Sequence, residues 1–314
     1  MNFKLVAAFL LLVLGGCKSN KFSAPMKLGG KWVAASTLNH GYDVYMNNCM
    51  SCHGVYGDGK GPASQGQMPL PRNFQQGLFK FANVLGGELP RDEDLKRTIR
   101  YGLRGTGMLP WDLEDQDIDA VTQYIKTFSP VWKEKVPGEA VAISENKWKG
   151  REEEAILQGK KLYHGLAQCY TCHPTYDSMN DINAYAMELT GNAITTIRIK
   201  PYLSTLLDSS YNTKVMPPDF TKNFIKTSGS VDRIYEVLGV GINGTAMPAW
   251  KGLLSPSGNE EESEQNQWAL AYYINSLQQL KYDLAARKKF MENLNERRAQ
   301  YDKYDFSNTG TSAQ

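Results

Sequence analysis

Two stretches of the chain share one arrangement of reactive side chains: Cys49-Met50-Ser51-Cys52-His53 and Cys169-Tyr170-Thr171-Cys172-His173. Each sets two thiols three positions apart and an imidazole directly after the second. That spacing suits haem attachment. The two thiols add to the two vinyl groups of one haem, and the adjacent histidine is placed under the iron as an axial ligand. Zinc would need four ligands per site, and each pentad offers three with no obvious fourth nearby. Four cysteines in an exported chain could also form two disulfides, but two identical pentads are a poor match to that use. The chain has five cysteines, and the fifth is Cys17. Two covalent haem c groups are therefore expected, one at Cys49, Cys52 and His53 and one at Cys169, Cys172 and His173.

An iron that only passes electrons needs a second axial ligand. A methionine thioether is soft and neutral, so it favours ferrous iron and raises the reduction potential. The first region offers Met68 and Met108; the second offers Met179, Met187, Met216 and Met247. A lone methionine is usually a core filler. Met108 and Met247 differ because they recur in one loop, Gly102-Leu103-Arg104-Gly105-Thr106-Gly107-Met108 and Gly241-Ile242-Asn243-Gly244-Thr245-Ala246-Met247. Trp111 and Trp250 each follow three residues later. Glycine lets a loop come close to a macrocycle. Met108 and Met247 are the expected iron ligands, with Met216 the alternative in the second region. His40 and His164 precede the pentads on the first helix of each unit and are expected at the surface or in caps.

The elements that position these groups also repeat. Gly41-x-x-Val44-Tyr45 before the first pentad matches Gly159-x-x-Leu162-Tyr163 before the second. Pro71-Arg72-Asn73-Phe74 matches Pro217-Pro218-Asp219-Phe220. A helix with acidic residues in its first turn runs from about Asp92 to Tyr101 and stops at Gly102; its counterpart runs from about Ser230 to Leu238 and stops at Gly239. Each unit ends in a helix with one apolar face: Ile118, Val121, Tyr124, Ile125 and Phe128, then Trp268, Leu270, Tyr273, Ile274 and Leu277. Period-two alternation is rare, so the fold class is mostly α.

The chain has 314 residues, enough for two ordinary domains, and a net charge of +2. Charged residues make up 22% of it, so a simple nucleic-acid binder is not indicated. Leu5 to Leu14 is an apolar run too short to span a bilayer but suited to a secretory signal. Leu14-Gly15-Gly16-Cys17 resembles a bacterial lipobox, with Cys17 the lipidated residue. The expected organisation is a signal peptide at 1–17, a first haem domain at 18–128, a linker at 129–152, a second haem domain at 153–280 and a charged helical tail at 281–314. The second unit has 26 more residues between its histidine and its Pro-x-Phe segment, and an acidic run, Glu260-Glu261-Glu262, read as a solvated loop. The tail is expected to form a helix with one apolar stripe, Leu277, Leu280, Leu284, Met291 and Leu294, that packs on its own domain, with docking on a partner protein the alternative.

Each unit resembles a class I cytochrome c domain, and the whole resembles a tandem dihaem cytochrome c. The likeness covers about residues 36–128 and 153–280. It implies two helical domains, each wrapping one haem between its histidine and its methionine. Gly54 to Pro62 is similar to the family's loop after the histidine. In the family a proline carbonyl there accepts a hydrogen bond from the ligand histidine, which tunes its basicity; Pro62 is the matching residue. In the second unit Pro174 follows His173 directly, and no matching proline stands nine residues on.

The expected function is outer-sphere electron transfer with no catalytic residue. The chain would be exported and lipid-anchored on a bacterial membrane, facing the periplasm. Its partners would be redox proteins: a quinol-oxidising complex, a terminal oxidase or other cytochromes. The alternative is an enzyme of the dihaem peroxidase kind, which needs one haem open to substrate; both repeated loops keep their methionine. Dihaem enzymes of sulfur oxidation use a cysteine ligand, and Cys17 is consumed by lipidation. A haem-based gas sensor is a third class, and carbon monoxide binding would discriminate it.

Overall fold

The computed structural model describes residues 20–194, 197–198 and 200–299. The expected signal segment with Cys17, and the tail from residue 300, lie outside the described residues. Helices dominate. In chain order the elements are a hairpin, β1 (Met26–Leu28) and β2 (Lys31–Val33), then α1 (Ala35–Asn48), α2 (Met50–His53), α3 (Asp92–Tyr101), α4 (Asp115–Lys126), α5 (Val131–Glu134), α6 (Glu152–Lys161), α7 (Met179–Thr190), α8 (Val231–Val240), α9 (Glu260–Gln279) and α10 (Leu284–Arg298). Among the described residues, no helix is long and apolar enough to cross a membrane.

Two helix pairs carry the fold. α1 packs on α4, and α6 packs on α9. Both crossings are tight because a glycine sits at the contact. A methyl group on Gly41 would run into the Ala120 carbonyl, and one on Gly159 into the Ala269 carbonyl. Only glycine lets the backbones approach so closely. The apolar faces read from the sequence are the faces that are buried. Ile118, Val121, Tyr124 and Ile125 of α4 lie in one core, and Trp268, Leu270, Tyr273, Ile274 and Leu277 of α9 lie in another. Each such side chain contributes roughly 1.5–3 kcal/mol by leaving water.

α3 and α8 are matching helices. α3 starts with Asp92, Glu93 and Asp94, and an Asp94 oxygen accepts from the Arg91 N–H at 3.1 Å. It stops at Gly102 with φ 63°. α8 does not stop at Gly239 as expected. It runs on to Val240 and is capped by Gly241 at φ 73°. Gly239 is buried inside the helix, whereas Gly241 supplies the positive φ that opens the methionine loop, as Gly102 does.

The segment at 129–152 is not a free linker. Trp132 is fully buried in the first core, and its carbonyl accepts from the Gly29 N–H at 2.6 Å. Val141 N–H donates to the Asn83 carbonyl at 3.1 Å. Further along, Ser144 meets the Tyr235 hydroxyl at 2.9 Å, and Trp148 Nε1 donates to the Gln265 carbonyl at 2.8 Å. The apolar bulk of its two tryptophans draws the segment onto one core and then the other.

The inserted residues of the second unit build α7 and a small third core of Tyr170, Met179, Ile182, Ala186, Ile194 and Ile197. The acidic run is not a loop. Glu260, Glu261 and Glu262 form the first turn of α9, where the helix dipole favours negative charge. Asn259 caps that turn by accepting from the Glu262 N–H at 2.8 Å. The tail stripe breaks after Gln279, and α10 starts afresh at Leu284. Leu284 is exposed, while Leu294 is buried and Phe290 and Met291 pack on the second core.

Candidate haem-binding sites

α1 delivers Cys49, and the chain winds on directly into α2. His53 N–H donates to the Cys49 carbonyl at 2.9 Å, so Cys49, Cys52 and His53 share one turn. In the second region, His173 N–H donates to the Cys169 carbonyl, also at 2.9 Å. Tyr45 and Tyr163, buried in the preceding helical stretches, donate their hydroxyls to the carbonyls of Gly54 and Pro174, each the residue after the histidine, at 2.7 and 2.8 Å. Both tyrosines recur in the sequence repeat, which was the signal for this brace, although its purpose was not legible there.

Each imidazole is oriented the same way. His53 Nδ1 donates to the Arg72 carbonyl at 3.0 Å, and His173 Nδ1 donates to the Pro218 carbonyl at 2.9 Å. A carbonyl only accepts, so Nδ1 carries the proton and Nε2 keeps its lone pair for a metal. Phe74 stacks on His53 with ring centroids 4.4 Å apart, and Phe220 stacks on His173 at 4.7 Å. Burial holds His53 below the ordinary histidine value and pushes His173 down to about 4, so both rings are neutral at physiological pH. Burial also pushes the Cys49 and Cys169 thiols up to about 12.

The acceptor for His53 is therefore not Pro62. The loop after the histidine turns back on α2 instead: Gly59 N–H donates to the His53 carbonyl at 2.9 Å and Gly61 N–H to the Cys52 carbonyl at 3.1 Å. Pro62 begins a short turn, Pro62–Ser64, and the imidazole is left to the next segment. The second region lacks nothing here, because Pro218 stands where Arg72 stands. The repeat of Pro71-Arg72-Asn73-Phe74 in Pro217-Pro218-Asp219-Phe220 was the sequence signal for both the carbonyl and the stacked phenylalanine.

The methionine loops share one set of hydrogen bonds around the methionine. Leu103 N–H donates to the Met108 carbonyl at 2.8 Å, and Ile242 N–H to the Met247 carbonyl at 3.2 Å. Thr106 and Thr245 donate to the carbonyls of Leu103 and Ile242, and their hydroxyls accept from the N–H of Met108 and Met247. Trp111 N–H and Trp250 N–H tie each loop back to α3 and α8, on the carbonyls of Ile99 and Leu238. Met108 and Trp111 pack against the core that contains Tyr45, Phe74 and Cys49. Met247 and Trp250 pack against the core that contains Tyr163, Phe220 and Cys169. Met68 is 85% exposed and Met216 is 63% exposed, so neither packs in this way.

His40 is half-exposed and bonds Asp117 at 2.6 Å. His164 is not at the surface. It is fully buried in a π-turn, Leu162–Leu166, with Nδ1 donating to the Lys160 carbonyl at 2.8 Å and Nε2 accepting from the Tyr176 N–H at 3.2 Å. Both of its nitrogens are occupied, so it offers no lone pair to a metal.

The donor set fits a haem in each region: two thiols on one turn, a neutral imidazole with Nε2 bare, and a core-packed thioether on a separate loop. A family model described as cytochrome c oxidase, cbb3-type, subunit III matches residues 36–125. Among solved structures, the chain is similar to one from the Kuenenia stuttgartiensis reducing HAO-like protein complex Kustc0457/Kustc0458. Identity is 30%, the match covers 76% of this chain and 95% of that one, and the TM-score is 0.59. No curated protein matches the chain in sequence.

Proposed function

The chain belongs to the c-type cytochromes, and on that premise we propose that it is a dihaem electron carrier, exported and lipid-anchored through Cys17 at the periplasmic face of a bacterial membrane. A cytochrome c domain carries covalently bound haem c and serves electron transfer. Bound haem iron supplies the one-electron couple. The protein's own groups do the rest. Cys49 and Cys52 tether one haem, and Cys169 and Cys172 the other. His53 and His173 each present Nε2, held in register by a carbonyl on Nδ1 and a phenylalanine against the ring. Met108 and Met247, each packed on the core beside its pentad, would supply the thioether ligands, and an iron so held would be closed to water and substrates.

The observation that carries this reading is the recurrence of the histidine–carbonyl–phenylalanine arrangement and of the methionine-loop bonding in both regions. The likeness to the Kuenenia chain runs over 76% of the sequence, more than either repeat alone, and so supports two haem domains in tandem. That neighbour is part of a complex, which favours a place as a subunit passing electrons to a partner redox protein over a free shuttle. A redox titration of the purified protein tests the reading. Two one-electron waves are expected, with no carbon monoxide adduct in the reduced state. A single wave, or rapid adduct formation, would overturn it in favour of an open-site enzyme or a gas sensor.

A further inference from the structure

The two methionine loops lie where the halves of the molecule meet, and each is held by the other half. In the first loop, Arg104 N–H donates to the Lys226 carbonyl at 2.7 Å, and the Arg104 guanidinium lies 4.8 Å from the Phe224 ring. In the second loop, Asn243 Oδ1 accepts from the Gly87 N–H at 3.2 Å. The most direct link is Tyr211. Its hydroxyl donates to the Asn243 carbonyl at 2.8 Å, four residues before Met247. Its ring lies against Gly244, where a methyl group would meet ring carbons at 2.8 and 2.9 Å. The same ring carries the Arg72 guanidinium at 3.8 Å and the Lys80 ammonium at 4.7 Å. Arg72 is the residue whose carbonyl holds His53 Nδ1.

We propose that Tyr211 is a positioning residue for both haem sites at once, joining the segment that orients His53 to the loop that carries Met247. The inference rests on the dihaem reading. Its chain of contacts is short: His53 to the Arg72 carbonyl, the Arg72 side chain to the Tyr211 ring, the Tyr211 hydroxyl to Asn243, and Asn243 to the Met247 loop. The ring and the hydroxyl have separate duties. The ring fixes the Arg72 segment through cation–π contact, which is strong when the cation is withdrawn from water. The hydroxyl fixes the second methionine loop. A looser Arg72 carbonyl weakens the Nδ1–H···O bond, makes the imidazole a poorer donor and raises the first potential. A looser Met247 loop weakens thioether ligation and lowers the second potential.

The test is a redox titration of the full-length holoprotein, with the waves assigned by Met108→His and Met247→His and haems counted in every sample. Tyr211→Leu should move both waves, the first upward and the second downward. Tyr211→Phe keeps the ring and loses the hydroxyl, so it should move only the second. If Tyr211→Leu leaves either wave in place while both haems are bound, the bridge is refuted and the dihaem reading stands. If Tyr211→Leu does not fold, Tyr211→Phe decides alone: a shift confined to the second wave supports the bridge, and a shift in neither or both refutes it. A wild-type protein with one haem would remove the dihaem reading itself, and the bridge with it.

Discussion

In the first half of the molecule the core is closed by the β1–β2 hairpin and by Trp132, which returns from the connecting segment. In the second half other parts do this work: α10 packs on the core, α7 builds a small core of its own, and a buried ionic group joins them. Asp177 is fully buried and meets Lys160 at 2.6 Å and Arg297 at 2.7 Å, while Tyr185 donates to it at 3.1 Å. Yet the histidine, tyrosine and methionine of each site are held by the same bonds, and a phenylalanine stacks on each histidine. The parts proposed to hold a haem are repeated, and the parts that only exclude water have diverged. Haem chemistry fixes ligand type and orientation closely, whereas a core needs only volume and polar satisfaction.

The comparison breaks most visibly at the methionines. Met108→His and Met247→His should each lower one redox wave strongly and leave the other nearly unmoved, because imidazole stabilises ferric iron better than thioether sulfur. The red absorption band of methionine-ligated ferric iron should fall by about half in each variant. A wave that responds to Met216→His instead would show that the two loops are not equivalent.

Acid should separate the halves next. Burial pushes His164 down to about 3 from an ordinary 6.5, so the folded second half holds it neutral while the unfolded chain protonates it. Its contribution to stability is complete above pH 6.5 and is lost as the pH falls from there towards 3, by up to about 5 kcal/mol. Thermal melts between pH 7 and pH 4 should show the second half losing stability faster than the first. Equal losses in the two halves would contradict this.

The helix crossings sharpen the likeness. Gly41→Ala and Gly159→Ala should each destabilise by about 1–3 kcal/mol, as overpacking does. Chemical denaturation followed at each haem should place each loss in its own half. Arg297→Met gives the smallest effect, about 1 kcal/mol in the second half only, since Lys160 still balances Asp177 and Arg297 is partly solvated.

Much of this was legible in the sequence. The pentads are a chemical spacing, and the apolar faces of α4 and α9 follow from period alone. The methionine loops were found because they repeat. The carbonyl partner of His53 was not found, because any residue can offer a carbonyl and only the path of the chain selects Arg72 over Pro62. His164 looked like a surface residue because its partners, a carbonyl and an N–H, have no sequence signature. Tyr211 gave no signal, and Arg104 was legible only as a member of the methionine loop, since a contact between halves lies outside any local pattern.

The central claim is two covalent haems on one chain, one per pentad. The intact mass of the purified protein under denaturing conditions tests it most directly, alongside Cys49→Ser/Cys52→Ser and Cys169→Ser/Cys172→Ser. The expected mass is that of the chain plus two haems, and of the chain plus one haem in each double variant. A wild-type mass with a single haem, or a double variant that keeps both, would contradict it.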